Sequence, residues 1–228
     1  MPYSPRNLPD LVIFDNDGVL IDSEIIAAQA TANGLRAYGI EMSVEECMHA
    51  FVGLGKPDML AKLEAMGHRV DDNLDEHIQT AFLAESDAHL QAVKGAHETL
   101  AAIRAANIPV CVCSNAGLGW IERTHKQLGL FEHFTSALYF HRDLVKTPKP
   151  APDMHALALD TFGVRADRAL VIEDTTAGAG GAHAAGIPVW GFVGASGVEP
   201  KRRDALLDQG ADRVFDNHES LRNALLGA

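Results

Sequence analysis

The sequence predicts an α/β protein with a doubly wound parallel sheet as its core and a small helical domain inserted near the start. Three observations predict this. Short continuous apolar runs rich in strand formers (LVIF, VCVC, ALVI) recur along the chain and read as strands buried on both faces. From Gly95 onward these runs alternate with segments of helical length, the pattern of a parallel sheet wrapped on both sides. Between the first strand and Gly95 there are only helical signals, as in a separate small bundle. The predicted boundaries are 1–22 with 92–228 for the core and 23–91 for the insert.

Taken in order, Leu11 to Phe14 form the first strand. Asp22 or Ser23 can cap a helix that carries Ile25, Ile26 and Ala30 and ends near Gly39. Ser43 to Glu46 (SVEE) is a capping-box pattern that opens a second helix, which stops before Gly53. A loop from Gly53 to Asp58 leads into a helix through Leu63 to Gly67, and a longer helix covers roughly Asp75 to Gln91. In the core, a helix from Ala96 to Ala106 precedes a strand from Pro109 to Cys113. A helix from Leu118 to Leu128 and a weaker strand at Ala137 to Phe140 come next. TPKPAPD then opens the helix Met154 to Phe162. Ala169 to Ile172 is another buried strand, followed by the Gly/Ala-rich helix Ala177 to Ala185. PVWGF is a further strand, a helix follows Pro200, Arg213 to Phe215 is a last short strand, and a helix closes the chain.

Composition narrows the function. The 228 residues suffice to bury a sizeable core, and 47% hydrophobic with 22% charged residues is ordinary for a globular protein. A net charge of −12 argues against nucleic acid or an anionic membrane as partner, since both require a basic face. No run approaches the roughly 18 apolar residues of a membrane span, and the polar N-terminus lacks the apolar stretch of a signal peptide. Cys47, Cys111 and Cys113 contain no CxxC pair, and the latter two alternate along a strand as small buried hydrophobes. A reducing, cytoplasmic setting is expected, and oligomeric state is silent.

Chemistry concentrates just past the strands. The first strand runs abruptly into Asp15, Asn16, Asp17 and Gly18. DNDG alone would read as a turn. If the extended geometry persists, however, Asp15 and Asp17 leave the backbone on nearly the same side. Two carboxylates so close resist joint ionisation unless a cation sits between them or one keeps its proton, and a hard oxygen-seeking ion such as Mg²⁺ suits that donor set. Ser114 and Asn115 follow the second core strand, Lys149 follows the third in KPAPD, and Glu173 and Asp174 follow the fourth. In open parallel sheets, ligands bind beyond the carboxyl ends of the strands, so all four groups are expected to converge. Carboxylates with Mg²⁺, one ammonium and one hydroxyl are what a phosphoryl group needs.

In this order and spacing, FDNDGVLIDSE, CSN, KPAPD and IEDTTAG resemble the four motifs of the haloacid dehalogenase (HAD) superfamily. The likeness is to the branch of β-phosphoglucomutase and small sugar-phosphate phosphatases, and it spans nearly the whole chain. The resemblance implies a Rossmann-like core with the helical insert as a mobile cap. It makes Asp15 the nucleophile that becomes an aspartyl-phosphate, and Asp17 the general acid and base. It gives Mg²⁺ to Asp15, the backbone carbonyl of Asp17 and Asp174, with Glu173 nearby, and the transferring phosphate to Ser114 and Lys149, with Asn115 beside them. Expelling a halide needs no proton, whereas an alcohol leaving group profits from an acid, so Asp17 favours a phosphatase of a small phosphorylated metabolite, a sugar phosphate, over a dehalogenase. A phosphomutase using the same pocket is the nearest alternative. A non-catalytic binding protein would have lost Asp15, Asp17 or Lys149.

Other features read less sharply. Lys56, in the loop with Gly53, either recognises a distal anionic group of the substrate or is a solvated lysine at a helix start. GLGK is not a P-loop, because Pro57 stands where Ser or Thr is required. Gly178, Gly180 and Gly181 suit close helix packing rather than dinucleotide binding. Asn16 is expected to point away from the two aspartates and is assigned no chemistry. Glu173 is either a metal ligand or an acceptor that orients Lys149 or a metal-bound water. The histidines, scattered along the chain, read as surface or core residues.

Overall fold

The computed structural model describes residues 8–51, 54, 56–71, 73–134, 138–197 and 201–227. The chain divides into two compact units, Met1–Ile21 with Ala92–Ala228 and Asp22–Gln91. The first is an α/β unit and the second is helical.

Among the described residues of the α/β unit, six parallel strands form one sheet in the order β3-β2-β1-β4-β5-β6. They are β1 (Leu11–Phe14), β2 (Val110–Ser114), β3 (Tyr139–His141), β4 (Ala169–Glu173), β5 (Val189–Phe192) and β6 (Arg213–Phe215). The helices α5 (Ala96–Ala105), α6 (Leu118–Gln127), α7 (Asp153–Phe162), α8 (Thr176–Ala184), α9 (Lys201–Asp208) and α10 (His218–Leu226) complete it. The predicted α/β class is observed, and its physical basis is burial of the strands from both sides. Leu11, Ile13, Cys111, Cys113, Val171 and Val189 share one core cluster with Met154, Ala158, Ala179, Ala182 and Leu206 from α7, α8 and α9. The alternate residues Val12, Phe14, Val112, Leu170, Ile172 and Phe192 are equally buried. They face the other way, where the Phe192 ring lies 4.7 Å from that of His218 on α10. Each large apolar side chain so buried contributes roughly 1.5–3 kcal/mol, which is why these strands read as unbroken apolar runs.

Several boundaries shift by one to three residues, and β2 and β4 each run one residue further than expected, so that Ser114 and Glu173 are the last residues of their strands. The third strand occupies Tyr139–His141 instead of starting at Ala137, which lies outside the described residues, and pairs Val112 with Tyr139. The third helix begins at Lys56, inside what reads as a loop to Asp58, because Pro57 in the first helical turn costs no hydrogen bond.

The helical unit holds α1 (Ser23–Arg36), α2 (Val44–Phe51), α3 (Lys56–Ala65) and α4 (Leu74–His89). Its own core joins Ala28, Ala32 and Leu35 with Cys47, Phe51, Leu63 and Leu74. The predicted capping box is formed: the Ser43 amide donates to Glu46 Oε2 at 2.7 Å, and the Glu46 amide donates to Ser43 Oγ at 3.1 Å. The unit's first and last residues meet, with the Asp22 amide donating to the Gln91 carbonyl at 2.9 Å. All three cysteines are buried free thiols. Among the described residues, no helix is long and apolar enough to cross a membrane.

The strand order fixes where chemistry can gather. From β1 the chain moves outward through β2 and β3, then returns to β4 on the other side of β1. This reversal opens a crevice at the carboxyl ends of β1 and β4. The register aligns Phe14 with Ile172, so Asp15 and Glu173 leave the two strands side by side.

Candidate active site

Asp15 is held at the end of β1 by its own backbone, whose amide donates to the Ile172 carbonyl of β4 at 2.9 Å. The strand stops at Phe14, and the following loop is tight: the Leu20 and Ile21 amides both donate to the Asn16 carbonyl, at 2.9 and 3.0 Å. Gly18 makes the turn at φ +81°, and a Cβ there would lie 2.2 Å from Asp174 Oδ2. Glycine therefore serves twice, in a left-handed backbone and as the floor beneath a carboxylate.

Lys149 reaches the same place from the loop after β3. Asn115 clamps its backbone in both directions, accepting from the Lys149 amide at 2.9 Å and donating to its carbonyl at 3.0 Å. The buried ammonium donates to Asp15 Oδ1 at 2.8 Å and to Glu173 Oε2 at 2.7 Å. Glu173 is fixed in turn: its Oε1 accepts from the Thr175 hydroxyl at 2.7 Å and from the Thr175 and Asp174 amides at 3.0 and 3.2 Å. Thr175 also caps α8, accepting from the Gly178 amide at 3.0 Å. Ser114 ends β2, buried, with its Oγ accepting from the Ala116 amide at 3.0 Å.

The electrostatics follow from this burial. Burial and the neighbouring Glu173 charge push the Asp15 carboxyl up to about 7, against the opposing pull of Lys149. Burial works against the charge on Lys149 as well, but Asp15 and Glu173 outweigh it and hold the ammonium protonated. Asp15, Glu173 and Asp174 offer carboxylate oxygens within 4.8 Å of one another. Asp174 also pairs with Arg202, Nη1 to Oδ2 at 3.0 Å. These are three buried carboxylates gathered at one strand end. Their hard oxygen donors fit Mg²⁺.

The structure thus brings together Asp15, Lys149, Glu173 and Asp174, with Asn115 behind Lys149 and Ser114 at the adjacent strand end. Asp17 follows in the loop, close enough for its charge to add to the upward push on the Asp15 carboxyl. Its carboxylate lies outside the acidic cluster found among the described residues and accepts from the Trp120 indole N–H at 3.0 Å. The Asn16 side chain is buried, and its Nδ2 donates to Asp17 Oδ2 at 3.1 Å. Glu173 has both oxygens engaged by protein donors, the geometry of an acceptor that orients Lys149. In the helical unit, Lys56 is half exposed at the start of α3, 3.6 Å from Asp75. Gly53 lies outside the described residues.

Sequence reasoning missed Trp120, Thr175 and Arg202. Thr175 was legible as a capping residue ahead of a helix. Arg202 sits in the charged run KRRD and Trp120 in a polar helix, where nothing local marks either one.

A model of the haloacid dehalogenase-like hydrolase family matches residues 9–186. The chain is 31% identical over 223 residues to a phosphoglycolate phosphatase of Rhodospirillum rubrum, covering 94% of this chain and 90% of that protein. It is 29% identical over 186 residues to 6-phosphogluconate phosphatase of Escherichia coli, covering 80% and 82% respectively. The crystal structure of a HAD family hydrolase from Deinococcus radiodurans, with bound phosphate and sodium, superposes with a TM-score of 0.87 at 32% identity over 97% of each chain. By family match and by fold, the chain belongs to the haloacid dehalogenase-like hydrolases.

Proposed function

We propose that the protein is a Mg²⁺-dependent phosphatase that hydrolyses a small phosphorylated metabolite, a sugar phosphate, through an aspartyl-phosphate on Asp15. The observation that carries this reading is the lysine locked between Asp15 and Glu173, beside a third buried carboxylate. That arrangement keeps a nucleophilic oxygen and a fixed positive charge in one crevice. The similarity to phosphatases of phosphogluconate and phosphoglycolate supports the substrate class.

Asp15, Asp174 and the Asp17 carbonyl would hold Mg²⁺, which when bound supplies positive charge to the phosphoryl oxygens. Lys149 and the Ser114 hydroxyl bind the remaining phosphoryl oxygens. An Asp15 carboxylate oxygen attacks phosphorus while the bond to the leaving oxygen breaks, and Asp17 delivers its proton to that oxygen. Water then attacks the phosphorus, Asp17 takes the water's proton, and the bond to Asp15 breaks to release phosphate. Glu173 holds Lys149 in register, and Lys56 with the rest of the helical cap selects the substrate. The test is release of inorganic phosphate from sugar phosphates with Mg²⁺, with EDTA, and with Asp15→Asn. Phosphate release that survives both EDTA and the substitution would end the proposal.

A further inference from the structure

Asp17 sits at one end of a chain of hydrogen bonds that the proposed chemistry does not use. Its Oδ2 accepts from Asn16 Nδ2 at 3.1 Å. Asn16 Oδ1 lies 2.7 Å from His125 Nε2, and His125 Nδ1 lies 3.0 Å from the Tyr139 hydroxyl. The second Asp17 oxygen accepts from Trp120 at 3.0 Å. Asn16, His125 and Tyr139 are all buried, on the β1 loop, α6 and β3.

The polarity of this chain follows from donor chemistry. The Asp17 oxygen on this side is the acceptor, so Asn16 turns its NH₂ toward Asp17 and its carbonyl toward His125. That carbonyl needs a donor, which places the ring proton on Nε2. A neutral imidazole has one N–H, so Nδ1 is bare and the Tyr139 hydroxyl donates to it. Burial pushes His125 down to about 4 and raises the Tyr139 hydroxyl, so both keep the required protonation at neutral pH. Each link therefore donates in one direction, from Tyr139 to Asp17.

We propose that Asn16 and His125 are positioning residues that fix the plane of the Asp17 carboxylate for proton transfer to the leaving group. Tyr139 sets the tautomer at the far end of the chain. This rests on the phosphatase reading above. A side chain between two catalytic aspartates that is free to turn could offer Asp17 either an oxygen or an NH₂. The buried imidazole removes that choice, and an Asn16 carbonyl turned toward Asp17 would repel it.

Two measurements test this. The first reads the tautomer by ¹⁵N NMR of the wild-type protein, with His125→Gln assigning the resonance. A proton on Nε2 and a bare Nδ1 are expected, and a proton on Nδ1 overturns the proposal whether or not the protein is a phosphatase. The second compares kcat/KM for an alkyl phosphate and for p-nitrophenyl phosphate, whose good leaving group needs no acid. Asn16→Leu and His125→Leu are expected to lower the alkyl value about 10- to 100-fold, part of the roughly 10²–10⁴ supplied by a general acid. The p-nitrophenyl value should fall about threefold at most, with KM nearly constant. His125→Gln, which offers an amide N–H where Nε2 lies, should recover most of the loss. Equal losses on both substrates, or none, in variants that unfold like the wild type would overturn the proposal. If His125→Leu does not fold, Asn16→Leu carries the comparison, and a wild type inactive on both esters sinks the phosphatase reading itself.

Discussion

Gly178→Ala should destabilise the protein, although alanine is the better helix former. Replacing a helical glycine by alanine ordinarily gains up to about 1 kcal/mol. In α8, however, a Cβ on Gly178 would lie 1.8 Å from Glu173 Oε2 and 2.0 Å from its Cδ. The carboxylate cannot step aside, because Lys149 holds one oxygen while Thr175 and the Asp174 amide hold the other. Displacing it breaks a buried ion pair, which costs about 3–5 kcal/mol when one partner is lost. The net expectation is a loss of about 2–4 kcal/mol once the propensity gain is subtracted. Gly180 in the same helix is the control: among the described residues, a Cβ there meets Gln209 Oε1 at 3.3 Å, the mobile end of a side chain. Gly180→Ala should therefore be neutral or gain up to about 1 kcal/mol. Urea unfolding followed by tryptophan fluorescence measures both, since Trp120 and Trp190 belong to the α/β unit. A Gly178→Ala midpoint at or above the wild type's would refute the reasoning, as would equal losses for the two variants.

Three further outcomes are expected. Lys149→Met should lower the unfolding free energy by about 3–5 kcal/mol at pH 8 in EDTA, with a smaller loss at pH 5, where the abandoned carboxyls can take up protons; denaturant titration at both pH values checks it. His155 is buried with neither ring nitrogen paired among the described residues, and burial pushes it from 6.5 down to about 3. Because its folded value is depressed, the stability it permits is complete above 6.5 and declines as pH falls toward 3. His155→Leu should therefore gain roughly 2 kcal/mol on the wild type between pH 8 and pH 5, and equal slopes in the two proteins would refute this. The raised Asp15 carboxyl acts in the opposite sense: its stabilising share is whole below 3.8 and is lost as pH rises through about 7. In EDTA, Asp15→Asn should gain on the wild type over that window, and added Mg²⁺ should raise the melting temperature of the wild type alone at pH 8.

Much of this site was legible because its residues announce themselves locally. Asp15, Ser114, Lys149 and Asp174 each follow a buried strand or precede a helix, where side-chain direction and backbone turns are set within a few residues. What escaped depends on contacts between distant stretches. His125 meets Asn16 across 109 positions of sequence, and Trp120 meets Asp17 across 103. A buried histidine looks the same in sequence whether it fills space or orients a neighbour. The partner of Asp17 escaped for the same reason, since nothing near Asp17 in the sequence points to the Trp120 indole. Gly178 reads as a packing glycine, and only the structure identifies its neighbour as the Glu173 carboxylate.

The pairing of Asp22 with Gln91, beside the antiparallel bridge from Ile21 to Ala92, means that the four-helix excursion leaves and rejoins the chain at touching points. To the sheet, that excursion is a loop already closed, whose length matters only logarithmically. Such a cassette can be shortened, enlarged or exchanged while the Asp15 strand keeps its place. Selectivity and chemistry could then diversify separately, and a short glycine bridge in place of the whole insert should leave a foldable core.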